Sequence, residues 1–500
     1  MTTRRDAIGL LAAAPFAAGC GITGASRARA QPAQSSETGS ADWQTSPDGR
    51  AFEEYRVCFS KGLKHRSDGY PEPELYAAFC KAIQARDANA LGQMKLSTRW
   101  VDPLAGTKLC SAEVLGSHAG QWFGTNLMYG DVAEVYWASL CRDIPFSAYG
   151  NHSLINRADA ELKRIDSRRF SRPPFSIDLP GTGEGGYLSQ FLIKPVPLNG
   201  AALFQRILCP TPSNDFLSEP EQWMRCQNAD RLHTITTHLP APRYIFNGRA
   251  LAEFVRHDFS FQAFLWAGLI LESWGRRALN KGLPERHTHN SAAFANNGWP
   301  QVFALLAQAS QRALEDAWFW KWRVFRRLRP EEIAGRDGLM SLEFPDEGVG
   351  KISLLEGAAA SKKKFGTALL TQSYPDGTPL HPSFPSGHAQ IAGACVTVLK
   401  AFTNPDFLIP APLLPSDDGL DIVSYDGDLL LEGELNKLAW NMSFGRTFAG
   451  IHYRSDHEGG LILGEDIALK LLAEAGRKVV GERSTLWFRR FDGNWTSVAI

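Results

Sequence analysis

Three short stretches of this 500-residue chain carry side chains suited to holding an oxyanion. In Lys321–Pro330, KWRVFRRLRP, a lysine stands eight residues before an arginine. Eight residues is a little over two turns, so both cations point to roughly the same side of the helix, close to its end. A monodentate ammonium beside a forked guanidinium suits a tetrahedral oxyanion. Arg323, Arg326 and Arg327 read as a solvated basic face of the same helix.

The second stretch, HPSFPSGHAQIAGA from His381 to Ala394, is a turn running into a helix N-terminus, where unpaired N–H groups and the helix dipole favour an anion. Ser386 adds a hydroxyl, Gly387 lets the backbone come close, and His388 in the first turn can exchange a proton near neutral pH. His381 is either a turn histidine bonded to backbone or a second imidazole for the same site. In the third stretch, NMSFGRTFAGIHYRSD, Arg446 continues the apolar helix face of Leu435, Leu438, Ala439 and Met442, and an arginine on a buried face needs an anion. Asp456 lies four residues beyond His452, a spacing at which a carboxylate can take the imidazole N–H and fix its tautomer. An ordinary buried Arg–Asp pair is the other reading of this stretch.

The elements that must position these residues are helical. The second half of the chain repeats apolar residues at spacings of three and four. That pattern predicts a helix from Trp299 ended by Pro330, a second from His388 to about Phe402, a third from Glu434 to Phe448 and a fourth from Gly460 to Ala475. Few stretches alternate as strands do, and no fixed-period repeat is present, so the fold class is mainly α. The chain divides into an export signal over 1–30, a flexible linker over 31–50, an N-terminal helical half over 51–250 and a C-terminal catalytic half over 251–500.

In the export signal, Arg4 and Arg5 precede a mildly apolar stretch, as in twin-arginine signals that direct proteins to the periplasm or outside the cell. Cleavage after Ala28-Arg29-Ala30 competes with lipid anchoring at Cys20. The 53 basic and 53 acidic side chains cancel, which argues against nucleic-acid binding and makes any anion site local. No later stretch is apolar for long enough to span a membrane. Seven cysteines follow the signal. Export would permit one to three disulfides and leave a free thiol, with Cys395 the natural packed thiol. The His287-Thr288-His289 pair is a weak metal candidate that reads more readily as a polar loop.

Together and in this order, the three stretches resemble the tripartite signature of the superfamily that unites vanadium-dependent haloperoxidases with type 2 phosphatidic acid phosphatases: Lys-x6/7-Arg-Pro, Pro-Ser-Gly-His and Ser-Arg-x5-His-x3-Asp. Gly445 stands where the third motif often has serine. The resemblance implies a helical-bundle architecture and a set of roles. His452 would be the axial ligand of vanadium, with Lys321, Arg329, Ser386, the Gly387 N–H and Arg446 neutralising the vanadate oxygens. His388 would serve as acid and base, Lys321 would polarise peroxide, and Asp456 would orient His452. An exported acid phosphatase would use the same cradle with His452 as a phosphohistidine nucleophile, and a non-catalytic anion-binding protein would use it with no chemistry.

The Lys321–Arg329 spacing, the chain length and His381 incline the resemblance toward the red-algal and cyanobacterial bromoperoxidase branch, where a second histidine precedes the motif histidine by seven. Trp318 stands where that branch carries arginine, three residues before the motif lysine, and makes the halide pocket less polar. The expected reaction is oxidation of halide, bromide first, by hydrogen peroxide to hypohalous acid, which diffuses away or meets a small organic acceptor. The cofactor would be vanadate. Some relatives also bind calcium, although no EF-hand spacing is present here, and the branch forms homo-oligomers.

Overall fold

The structure, a computed structural model, describes residues 58–119, 126–230, 232, 234–286, 293–340, 352–479 and 483–500. The export signal, the linker, Cys20 and the His287–His289 pair lie outside these residues. Among the described residues, thirteen α-helices are interspersed with short 3-10 turns, and the strands form three two-stranded antiparallel hairpins. The chain is mainly α, as its periodicity predicts. One apolar core takes residues from Cys110 to Ile500 and so joins the two halves.

Seven helices frame the site: α1 (Asn126–Cys141), α2 (Gly248–His257), α3 (Trp299–Phe319), α4 (Pro330–Met340), α5 (Gly387–Phe402), α6 (Leu431–Phe448) and α7 (Arg454–Arg477). Every residue of α5 from Ala389 to Phe402 is buried, as expected of a helix that is apolar or small on all faces. It packs most extensively on α7, then on α3 and α6. Glycines set how close α5 and α7 come. A methyl group at Gly460 would sit 2.8 Å from the Ala389 Cβ and 2.9 Å from the Ser386 carbonyl, and Gly393 and Gly464 face the opposing backbone still more tightly. This seam presses the N-terminus of α5 against the first turns of α7, which brings the second and third stretches together.

Two helical expectations need correction. The helix from Trp299 does not run to Pro330: α3 ends at Phe319, one π-helical turn covers Trp320–Phe325, and Arg326 in the left-handed region (φ 42, ψ 38) ends it. Pro330 opens α4 instead, a position that suits its fixed φ and missing N–H. Lys321 and Arg329 therefore do not share a helix face. Arg326 and Arg327 are buried, not solvated, because the kink turns this stretch into the protein. The other correction is α7, which starts at Arg454 and not at Gly460; the charged residues of its first turns interrupt the apolar pattern that marks a helix in sequence.

All seven cysteines after the signal are buried thiols, so the expected disulfides are not formed. The sulfurs are spread over three apolar clusters and pack as small apolar groups. Cys395 is such a packed thiol, its Sγ 3.5 Å from the Leu306 carbonyl. No helix among the described residues is long and apolar enough to cross a membrane.

Candidate active site

Three cations meet where the π-helical turn, the stretch before α4, the α5 N-terminus and the end of α6 converge. Lys321 is fully buried, and its Nζ donates to the carbonyls of Pro382 (2.9 Å) and Ser383 (2.7 Å). Two bonds leave one N–H of the ammonium to give. Arg329, also fully buried, donates from Nε to the His381 carbonyl (2.9 Å) and from Nη1 to the Ile451 carbonyl (2.8 Å). Its two terminal nitrogens also reach imidazoles, Nη1 lying 2.8 Å from His452 Nε2 and Nη2 2.9 Å from His381 Nδ1. Arg446 donates from Nη1 to the Val255 carbonyl (2.9 Å) and lies over the Tyr374 ring, while its buried Nε has no hydrogen-bond partner.

The bonds of these three cations run to carbonyls and histidines, and none of the ion pairs among the described residues gives them a carboxylate. Burial first, then the Arg329 charge, holds Lys321 well below the usual lysine range. Burial and Arg446 bring Arg329 down to about 10, although Asp456 opposes them. Buried cations without a partner cost several kcal/mol each, so this cluster is built to be completed by an anion.

His452 faces the cluster in a defined tautomer. Its Nδ1 lies 2.8 Å from Asp456 Oδ2. The carboxylate also takes the Tyr453 N–H (3.0 Å), the Ser383 hydroxyl (2.5 Å) and the Arg327 guanidinium (2.8 Å). With donors on every side the carboxylate accepts, so Nδ1 carries the hydrogen and Nε2 keeps its lone pair, on the side where Arg329 points. Burial, followed by the charges of Arg329 and Lys321, keeps the ring well below the ordinary histidine range and hence neutral. His381 is held neutral by burial and the same two cations. Its Nδ1 accepts from Arg329, which leaves the hydrogen on Nε2.

Trp318 closes this side. Its ring centroid is 4.9 Å from that of His381 and 6.0 Å from Lys321 Nζ, and its indole N–H donates to the Val101 carbonyl (3.2 Å). A methyl group at Gly387 would lie 3.5 Å from the Trp318 ring, an ordinary contact. Gly387 is therefore not demanded by crowding within the chain, and its N–H at the start of α5 is open to close approach. Ser386 caps α5: its Oγ accepts from the Ala389 N–H at 3.4 Å, leaving its own proton free to donate, and its N–H donates to the Asp456 carbonyl at 3.0 Å.

Lys321, Arg329, His381, Arg446, His452 and Asp456 are thus coupled in one cluster, with Ser386, Gly387 and Trp318 on its wall. His388, one residue further along α5, pairs through Nε2 with Asp258 Oδ1 at 3.2 Å. Sequence reasoning missed Asp258, which follows α2 with no motif around it. It missed Ser383 as well, although this serine sits inside the second stretch, and it assigned Arg327 to the surface.

Against this geometry stand the comparisons with known proteins. Residues 301–481 match a family model described as the VCPO second helical-bundle domain. The chain is 29% identical to a vanadium-dependent bromoperoxidase of Corallina officinalis, over 87% of this chain and 90% of the relative. To one of Ascophyllum nodosum it is also 29% identical, over 87% of this chain and 85% of the relative. A solved homohexameric vanadate-dependent bromoperoxidase from Ascophyllum nodosum superimposes with a TM-score of 0.77 at 25% identity, covering 89% of this chain and 84% of that one.

Proposed function

We propose that this chain is a vanadium-dependent haloperoxidase, as its likeness to the bromoperoxidases supports, and that it oxidises halide, bromide in the first place, with hydrogen peroxide to hypohalous acid. The observation that carries the reading is the set of three cations without a carboxylate, Lys321 and Arg329 fully buried and Arg446 half-buried, facing a histidine whose Nε2 carries a lone pair that Arg329 meets. That donor set fits vanadate: an oxyanion answers the unpartnered Arg446 Nε, the remaining N–H of Lys321 and the open Gly387 N–H, and Nε2 answers the metal. When bound, vanadate supplies a Lewis-acid centre that activates hydrogen peroxide toward halide without a change in its own oxidation state.

The protein's part is orientation and proton handling. His452, oriented by Asp456, would ligate the vanadium, and Lys321, Arg329, Ser386 and Arg446 would balance the oxygens. With Nε2 of His388 on Asp258, Nδ1 is the nitrogen left to move protons to and from peroxide oxygen. Trp318 and His381 form a wall with an indole face and one Nε2 hydrogen, suited to a soft, weakly hydrated halide more than to a strongly hydrated one. The product leaves as hypohalous acid or meets a small organic acceptor. The Arg4-Arg5 signal supports export, and the homohexameric relative supports a homo-oligomer.

Purified protein loaded with orthovanadate is expected to brominate a phenolic dye in the presence of peroxide and bromide and to leave an aryl phosphate intact. Hydrolysis of the aryl phosphate that vanadate suppresses would replace this reading with the phosphatase.

The depressed cations predict a proton linkage. An anion raises the pKa of Lys321 and Arg329 toward ordinary values, and a group whose pKa rises on binding takes up a proton between its free and bound values. Sulfate, which does not itself titrate there, should bind the vanadate-free protein with net proton uptake at a pH just below the ordinary lysine value, as Lys321 regains the proton that burial makes costly. Calorimetry in two buffers of different ionisation enthalpy measures this. No proton exchange would mean that the free site already holds its full charge.

A further inference from the structure

His452 is gripped from both sides by one short stretch of chain. Arg329 reaches Nε2, and two residues earlier Arg327 reaches the carboxylate behind Nδ1, its Nη1 2.8 Å from Asp456 Oδ1. Arg327 is itself anchored. Its Nη2 donates to Asp131 Oδ2 on α1 at 3.1 Å, its Nη1 also meets the Ser455 hydroxyl at 2.6 Å, and its guanidinium lies 4.1 Å over the Tyr453 ring. Asp131 is fully buried and additionally holds Ser455 and Arg169 (2.8 Å), while one turn along α1 Glu134 pairs with Arg454. The carboxylates of α1 therefore clasp the first turn of α7, and Arg327 is the member that touches Asp456.

The charges explain the arrangement. A carboxylate as buried as Asp456 keeps its charge only with close donors, and beside the site the nearest cations are turned toward the anion. Arg327 supplies a cation on the far side, and its fork fixes where Oδ2 lies and so where the imidazole points.

We infer that Arg327, anchored by Asp131, is the positioning residue that sets the His452 ring through Asp456. The inference rests on the reading of His452 as the metal ligand. Phosphate at rest takes no nitrogen ligand, whereas vanadate does, so a residue acting through His452 affects vanadate and spares phosphate.

Equilibrium dialysis of the vanadate-free full chain against inorganic vanadate and, separately, inorganic phosphate reads this split. Wild type should prefer vanadate, and His452→Ala should lose the preference. Arg327→Gln should cut the preference by about tenfold or more, the usual scale for partners behind a metal ligand, with phosphate affinity nearly unchanged. If Arg327→Gln keeps the preference that His452→Ala loses, or weakens both anions equally, Arg327 is not a positioning residue. If wild type shows no preference, the ligand reading fails and takes this inference with it. Should Arg327→Gln not fold, Asp131→Asn, nearly isosteric, is read by the same two affinities.

Discussion

His452→Ala is expected to lower vanadate-supported bromination to about one thousandth of wild type or less. The metal's charge stabilisation is worth several kcal/mol, and about 4 kcal/mol corresponds to a factor of about a thousand in rate. The loss should be specific. Lys321 and Arg446 take no bond from His452, and Arg329 keeps its bonds to the carbonyls of His381 and Ile451. The variant should therefore still bind sulfate within a few-fold of wild type. Dye bromination read beside sulfate calorimetry separates a missing ligand from a collapsed cradle, because collapse would remove both. Bromination at the wild-type rate would remove His452 from the role of metal ligand.

The reason one alanine can do this was partly legible in the sequence. Six residues of the cluster lie in three stretches whose local chemistry announces them: a turn before a helix N-terminus, an arginine on an apolar stride, a carboxylate four residues after a histidine. The α-helical class, the bounds of α5 to within a residue and the end of α6 followed from periodicity, whereas α6 starts at Leu431, three residues before the expected Glu434. The remaining parts had no local signal, for physical reasons. Asp258 and Asp131 act on residues 130 and 196 positions away, so nothing beside them marks the pairing. Arg327 looks like any basic residue on a helix, and only the left-handed turn at Arg326 sends it inward. That turn was not foreseen because α3, rich in good helix formers, carries its pattern through Phe325. The cysteines misled in another way: the export signal suggested oxidation, whereas the core uses each thiol for its size.

The second large effect falls on proton transfer. His388→Ala is expected to slow turnover by about a hundred- to ten-thousand-fold, the range a positioned acid and base contributes, while vanadate binding is largely kept because no bond within the cation cluster involves this ring. Asp258→Asn is the graded companion. The carboxylate, its side chain 3% exposed, sits 3.2 Å from His388 Nε2 and stabilises the imidazolium that forms when Nδ1 takes a proton. The amide keeps the shape without the charge, so a loss on the order of tenfold in turnover is expected. Steady-state bromination from about pH 5 to 9 at saturating peroxide and bromide measures both variants. A His388→Ala enzyme within about tenfold of wild type would place the proton carrier elsewhere, and His381, whose Nε2 hydrogen is left over once Arg329 has taken Nδ1, would be the residue to substitute next.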